Sequence, residues 1–256
     1  PGTGKTMLAN ALAELLPNME ETSALEVASI RSVANLTANP VNWLRPPFRS
    51  PHHSASSVAL VGGGQRANPG EVSLAHQGVL FLDEFTEFKP GALEALREPL
   101  ESGEITISRA NYRLSYPACF QLVAAMNPCP CGYYNHPEKD CVCAPGVVQN
   151  YLNKISGPLL DRIDIHIEVT PVKFDELSSK IIEEKSEIVR DRVIKARDVQ
   201  EKRYKENKDV HCNAQMESKQ LRQVCRISPE GTALLKTAMD KLGLSARAYD
   251  RILKVS

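Results

Sequence analysis

The sequence predicts an α/β fold in which a parallel sheet is followed by a small all-helical region, and three observations carry that prediction. Gly4-Lys5-Thr6 stands directly before an apolar helical run, Met7 to Ala13. Two strand-length apolar runs, Gly78–Leu82 and Phe120–Met126, end abruptly in polar residues, Asp83-Glu84 and Asn127. From Phe174 onward the pattern becomes densely charged and helical in period. Composition agrees, with 256 residues, 42% hydrophobic and 24% charged, enough apolar material for a packed core. No run approaches the roughly 18 uninterrupted apolar residues of a membrane span, and no signal peptide opens the chain. A disordered, collagenous, coiled-coil or membrane-spanning protein is thereby excluded. Lys+Arg and Asp+Glu are 31 each, so overall charge is uninformative about a nucleic-acid partner. Seven cysteines, an odd count in a chain too large to need disulfide staples, point to a reducing, cytoplasmic setting.

Pro1-Gly2-Thr3-Gly4-Lys5-Thr6 reads as the second half of a phosphate-binding loop, G-x-x-x-x-G-K-[ST]. The glycines let backbone N–H groups turn toward phosphate oxygens, Lys5 reaches the β- and γ-phosphates, and the Thr6 hydroxyl can ligate Mg²⁺. The following helix adds the positive end of its dipole. The motif's first glycine and preceding strand would lie upstream of Pro1, so the chain reads as a fragment, and poor ATP affinity is expected of it as it stands. The second strand brings Asp83 to the metal, directly or through water, and Glu84 to the attacking water. A third strand, Phe120–Met126, presents Asn127 at its C-terminal end, where an amide orients water near a γ-phosphate. Arg162 stands just before a strand-like segment, Ile163–Val169, and fits an arginine finger. Arg247 opens a late helix.

This order of elements resembles an AAA+ ATPase of the magnesium-chelatase-like branch, over nearly the whole chain. The resemblance implies that Gly2, Thr3, Gly4, Lys5 and Thr6 belong to Walker A, Asp83 and Glu84 to Walker B, and Asn127 to sensor 1. It implies further that Arg162 is the arginine finger acting on a neighbouring subunit and Arg247 is sensor 2 in the lid. Arg45-Pro46-Pro47-Phe48-Arg49-Ser50-Pro51-His52-His53-Ser54 and Leu244–Val255 are similar to the ComM/YifB family within that branch. That implies an AAA+ sheet with helix-2 and pre-sensor-1 hairpin insertions, a lid, ATP and Mg²⁺ as ligands, and a ring hexamer acting on DNA, in one case in branch migration during natural transformation.

Thr6 and Asp83 are far apart in sequence, which leaves room for an insertion. No Asp or Glu occurs from Val27 to Gly70, while Arg31, Arg45, Arg49 and Arg66 do. A second acid-free window, Ile105 to Pro137, holds Arg109 and Arg113. Within it, Glu104–Tyr116 alternates β-formers around Arg109-Ala110-Asn111 and predicts a hairpin. Both windows carry aromatics: Trp43 and Phe48, then Tyr112 and Tyr116. Arginines that neutralise a phosphate backbone beside aromatics that stack on bases are the physics of sequence-tolerant DNA binding, with Arg49, Arg109 and Arg113 as contacts. The alternatives are that these arginines are merely solvated and the aromatics pack into satellite cores. Adjacent His52 and His53 are expected to pack or hydrogen-bond within their loop rather than chelate together.

Cys129-Pro130-Cys131 and Cys141-Val142-Cys143 form paired C-x-C units with His136 between them. Four thiolates around Zn²⁺ would staple the loop after Asn127 as a structural site; four reduced thiols are the alternative. Cys119, Cys212 and Cys225 read as small buried residues. The α/β core is expected over 1–171, a charged connecting helix over 172–211 with Ile182, Val189, Val193 and Ala196 on one face, and the lid over 212–256. In the lid, Ser228 caps a helix with Pro229 in its first turn, and Gly243 separates the last two helices. The function these readings support is an ATP-hydrolysing ring motor acting on DNA; the rival is a protein-remodelling or chelatase-type module that grips a protein client.

Overall fold

The computed structural model describes residues 4–36, 42–108, 113–169, 184–207, 210 and 212–255. The chain forms two compact units, one of Pro1–Arg162 with Ile167–Arg190 and one of Ile163–His166 with Asp191–Ser256.

The first unit is mixed α/β. Its helices are α1 (Lys5–Leu15), α2 (Glu21–Val33), α3 (Ser57–Val61), α4 (Glu71–Leu74), α5 (Pro90–Glu94), α6 (Arg97–Ser102), α7 (Pro145–Leu152) and α8 (Gly157–Leu160). Its strands are β1 (Phe48–Arg49), β2 (Gly62–Gly63), β3 (Asn68–Pro69), β4 (Val79–Leu82), β5 (Glu104–Ser108), β6 (Arg113–Pro117) and β7 (Gln121–Ala124). The central sheet runs β1-β4-β7, with both pairings parallel: Phe48 lies opposite Val79, and Val79 to Leu82 lie opposite Gln121 to Ala124. Every residue of β4 is buried, as a central parallel strand covered on both faces requires. Phe81, Phe85, Phe88, Leu60, Leu93, Leu96 and Leu159 are among the fully buried side chains of this unit. Gly78 is needed at the start of β4 because a Cβ there would stand 2.0 Å from the Pro47 carbonyl oxygen, which accepts the Val79 N–H.

Two antiparallel hairpins extend the sheet domain. One is the short pair β2–β3; the other is β5–β6, where Ser108 faces Arg113. Residues 109–112, including Arg109 and Tyr112, lie outside the described residues, as do 1–3, with Gly2 and Thr3, and 170–183, with Ile182.

The second unit is helical. It contains the C-terminal part of α9 (Ser186–Tyr204), then α10 (Ser218–Val224), α11 (Pro229–Leu242) and α12 (Ala246–Val255). Its core is Tyr204, Val210, Met216 and Leu221, with Val224, Cys225 and Leu253 packed against them. The Ser228 side chain accepts the Gly231 N–H, and Gly243 closes α11 in the left-handed conformation, both as the sequence indicates. Along α9, Val189 and Val193 are half-buried, whereas Ala196 is exposed.

Two expectations are corrected. Ile163–Val169 forms no strand among the described residues; Ile165 and Ile167 are 60% and 79% exposed, and the alternation of apolar residues finds no neighbouring strand to pair with. Cys119 is exposed rather than buried, because it follows β6 at the rim, with its thiol directed at the Gly103 carbonyl.

Buried His76 ties α2 to the segment before β7: its Nδ1 accepts the Cys119 N–H, so its Nε2–H donates to Glu26 at 3.2 Å. Burial, against the opposing pull of Glu26, holds its pKa below the ordinary 6.5. The folded state therefore binds fewer protons than the unfolded chain just below that value, and the stability present above about pH 6.5 is lost as pH falls through it. Denaturant midpoints measured from pH 7.5 to 5 are expected to decline, and His76→Gln is expected to flatten that decline.

Candidate functional site

The site forms at the C-terminal ends of β4 and β7, where parallel strands deliver side chains to one crevice. Gly4, at φ 73°, turns the chain into α1 so that Lys5 and Thr6 begin the helix. The Lys5 ammonium donates to Asn127 Oδ1 at 3.1 Å. The Thr6 hydroxyl donates to Asp83 Oδ2 at 2.6 Å. Residues far apart in the sequence thus meet in two pairs, Lys5 with Asn127 and Thr6 with Asp83.

Glu84 follows in the left-handed conformation at φ 51°, uncommon for a residue with a Cβ, with its N–H on Asp83 Oδ1 at 2.9 Å. This bend carries the Glu84 side chain away from the strand line and onto His53, whose Nδ1 stands 2.8 Å from Glu84 Oε2. The loop after β1 holds His53 in place. Its ring packs at a tilt against His52, centroids 4.0 Å apart, and meets the edge of Phe88 at 6.5 Å, while His52 Nδ1 bonds Ser54. The two histidines were expected to pack or hydrogen-bond within their loop, and they do, but His53 also reaches the acidic pair. The adjacency of two histidines in the sequence gave no sign of this, because the contact depends on β1 lying parallel beside β4.

The Thr6 hydroxyl and the Asp83 carboxylate are hard oxygen donors in direct contact at 2.6 Å, so Thr6 and Asp83 fit Mg²⁺. The α1 N-terminus and Lys5 fit phosphate oxygens.

Arg162, by contrast, is turned inward, its side chain only 6% exposed. Its Nη1 donates to the Pro158 carbonyl at 2.6 Å and its Nη2 pairs with Glu101. Arg247 lies exposed in the first turn of α12, within the helical unit. Arg113 is exposed on β6. Arg49 is held on both arms by Glu71, at 2.6 and 2.8 Å, and this pairing raises its already high pKa. Phe48 stacks on Phe81 with ring centroids 6.2 Å apart, and the Tyr116 hydroxyl donates to the Ala67 carbonyl. These two aromatics of the arginine-rich windows therefore belong to the packing of the fold.

The four clustered cysteines come together. Their sulfurs all lie within 4.8 Å of one another, with Cys129–Cys131, Cys129–Cys141 and Cys131–Cys141 at 3.3, 3.7 and 3.6 Å. A tetrahedron of Zn–S arms of about 2.3 Å has edges of ~3.8 Å, so the spacing fits that ion. Backbone N–H groups of Gly132 and Tyr134 point at the Cys129 sulfur, at 3.2 and 3.3 Å. The Tyr133 N–H, with neighbouring thiols, holds the Cys131 pKa down to about 6, whereas Cys141 is pushed up to about 12 despite a backbone N–H from Cys143, by desolvation and adjacent thiols. A group of thiols that resists full ionisation alone is one whose charge a cation would balance. His136 stands apart, its Nδ1 accepting the Glu138 and Lys139 N–H groups in a local turn.

Over residues 1–177 the chain matches the family described as magnesium chelatase, subunit ChlI, and over residues 183–256 that of the subunit ChlI C-terminal region, so it belongs to the magnesium chelatase ChlI family, whose fold is AAA+. Within this family the similarity is high to several bacterial proteins. The chain is 49% identical over 257 residues to competence protein ComM of Haemophilus influenzae, covering 100% of this chain and 49% of that one. It is 48% identical over 259 residues to the uncharacterized protein YifB of Escherichia coli, with 100% and 49% coverage. The chloroplastic magnesium-chelatase subunit ChlI of Nicotiana tabacum is more distant, at 25% over 207 residues, 72% of this chain and 43% of that one. The chain spans about half the length of the curated relatives ComM and YifB.

The Arg49–Glu71 pair, with side chains 32% and 21% exposed, joins β1 to α4. Removing one partner leaves the other half-buried and unpaired, so Glu71→Ala is expected to lower unfolding free energy by about 1–3 kcal/mol in a denaturant titration, with Arg49→Ala similar.

Proposed function

We propose that this chain is the ATP-hydrolysing module of an AAA+ ring motor that works on DNA in the cytoplasm, by translocation or branch migration in competence or recombination. The supporting observation is the convergence of Lys5 with Asn127 and of Thr6 with Asp83 at the ends of two parallel strands. In this reading Gly2, Thr3, Gly4 and Lys5 cradle the phosphates, and Thr6 and Asp83 hold Mg²⁺. Bound there, the ion neutralises phosphate charge. Glu84 polarises water, Asn127 orients it, a neighbour's Arg162 stabilises the charge of the transition state, and Arg247 couples the lid to the nucleotide. Residues 1–171 are then the ATPase core with its two insertions, 172–211 the connecting helix, and 212–256 the lid. The ring is expected to be hexameric, and the similarity to competence protein ComM is what ties the reading to competence.

On this reading Arg109 and Arg113, at the β5–β6 hairpin, are the leading DNA contacts, and Arg49 contributes only by leaving Glu71. That last requirement, and the packing of Phe48 and Tyr116 into the fold, favour a second reading in which the ring remodels a protein client, as a chelatase-type module. Steady-state ATPase of the protein with and without single-stranded and branched DNA separates the two. Several-fold stimulation, weakened by Arg113→Ala and by added salt, is the expected result; a rate indifferent to DNA sinks the DNA reading. Glu84→Gln is expected to lower turnover at least ~100-fold while ATP still binds.

The four-cysteine cluster is proposed as a structural Zn²⁺ site of Cys129, Cys131, Cys141 and Cys143, which would fix the loop leaving Asn127. Elemental analysis of the purified protein is expected to find about one zinc per chain, lost in a Cys131→Ser/Cys141→Ser variant together with thermal stability. Metal-free protein of unchanged stability would remove the site.

A further inference from the structure

The arginine assigned to act on a neighbour is locked inside its own subunit. Arg162 sits just past α8 and projects into a cleft of about 610 Å³ whose lining includes Val61, Glu98, Glu101 and Ile107. Its guanidinium is satisfied at two nitrogens, by Pro158 and Glu101, but its Nε is buried without a hydrogen-bond partner. The other carboxylates of the cleft have hydrogen-bond partners of their own, although Glu94 also feels the charge of Arg162. Glu94 accepts from Ser156 and from Arg97 at 2.8 Å, which holds its pKa low, and Glu98 accepts the Thr106 N–H at 3.4 Å. Glu101 is the carboxylate in contact with Arg162, and it is itself 56% exposed.

This asymmetry makes the pair easy to exchange. A buried guanidinium needs an anion, and its unpartnered N–H leaves the present arrangement short of full satisfaction. A half-exposed carboxylate that loses its partner is simply rehydrated, at little cost. A phosphate offered by an adjoining subunit carries more charge and more acceptor atoms than Glu101, and would take both arms of the guanidinium in fork geometry. Glu101 is also mechanically connected. It lies in the last turn of α6, one residue before Ser102, whose hydroxyl bonds the Glu98 and Glu104 carbonyls and so ties the helix end to the first residue of β5. Gly103, at φ 72°, makes the turn between them.

We propose that Glu101 is a positioning residue that holds Arg162 within its own subunit until a neighbour's nucleotide displaces it, and that movement of the β5–β6 hairpin is felt at this pair. The proposal rests on Arg162 being the arginine finger. Its place in the fold links the hairpin, where the substrate is expected, to the charge needed across the subunit boundary.

The test is steady-state ATPase of the assembled protein as a function of ATP, with Glu101→Gln, Glu101→Asp and Arg162→Ala. Glu101→Gln keeps the shape and removes the charge; it is expected to raise basal kcat roughly three- to tenfold with KM for ATP within about twofold of the parent, since the nucleotide-binding residues are untouched. Glu101→Asp, shorter but charged, is expected to fall between the two. A basal kcat at or below the parent's in Glu101→Gln, or a change confined to KM, overturns the proposal. Arg162→Ala reports separately on the underlying reading: a finger removed lowers kcat by on the order of 10³ in both backgrounds, whereas unchanged turnover removes the finger assignment itself. Arg162→Lys, which keeps a cation in the cleft, stands in for Ala if thermal melting shows the Ala variant unfolded.

Discussion

The fully buried strand β4 is the constraint on which the rest of this domain depends. It pairs in parallel with β1 on one side and β7 on the other, and its register is pinned at the start by the close approach of Gly78 to Pro47. With no freedom to slide, its C-terminal end fixes where Asp83 stands, and the parallel pairing places Asn127 on the same edge. The helix that begins at Lys5 then has one place to present its N-terminus. A one-residue shift of β4 would turn Asp83 to the opposite face and separate it from Thr6. The short contacts of the site are in this sense a consequence of strand register rather than of any strong local preference in the side chains that make them.

That dependence also explains what the sequence disclosed and what it did not. Lys5, Thr6, Asp83 and Asn127 were legible because each sits at the boundary of a periodic element, where an apolar run stops at a polar residue. The cysteine cluster was legible from spacing alone, and the caps of α11 from Ser228, Pro229 and Gly243. The partners of these groups were not. His53, Glu71 and Glu101 lie in loops or at the ends of short helices, and each meets its partner through tertiary packing that no local pattern encodes. Arginine-rich, acid-free stretches looked unbalanced along the chain, yet Arg49 finds Glu71 directly after its window ends, and Arg45 finds Glu14 from α1 at 3.6 Å. Charge balance in a folded protein is settled in space, and a window drawn on the sequence cannot see across the sheet. The run Ile163–Val169 shows the converse error: alternation of apolar residues needs a neighbouring strand to become one.

The polar groups of the proposed motor have a common feature. Lys5 is on Asn127, Thr6 on Asp83, Glu84 on His53, and Arg162 on Glu101. A site built to receive a highly charged ligand faces a difficulty when that ligand is absent, because partly buried ions left without partners destabilise the fold. Internal partners remove the difficulty, but a partner that is too good would compete with the ligand. The partners found here are of the weaker kind: a neutral amide for the lysine, a neutral hydroxyl for the aspartate, an imidazole for the glutamate, and a half-exposed carboxylate for the arginine. Each stabilises its group modestly and each can be returned to solvent cheaply. Binding then becomes an exchange of partners with a small difference in free energy, rather than the filling of a void. A small difference is what allows a conformational equilibrium to be moved by a ligand, since a ligand shifts states only by its differential affinity for them. The unusual backbone at Glu84 serves the same arrangement, because its left-handed bend is what brings the carboxylate onto His53.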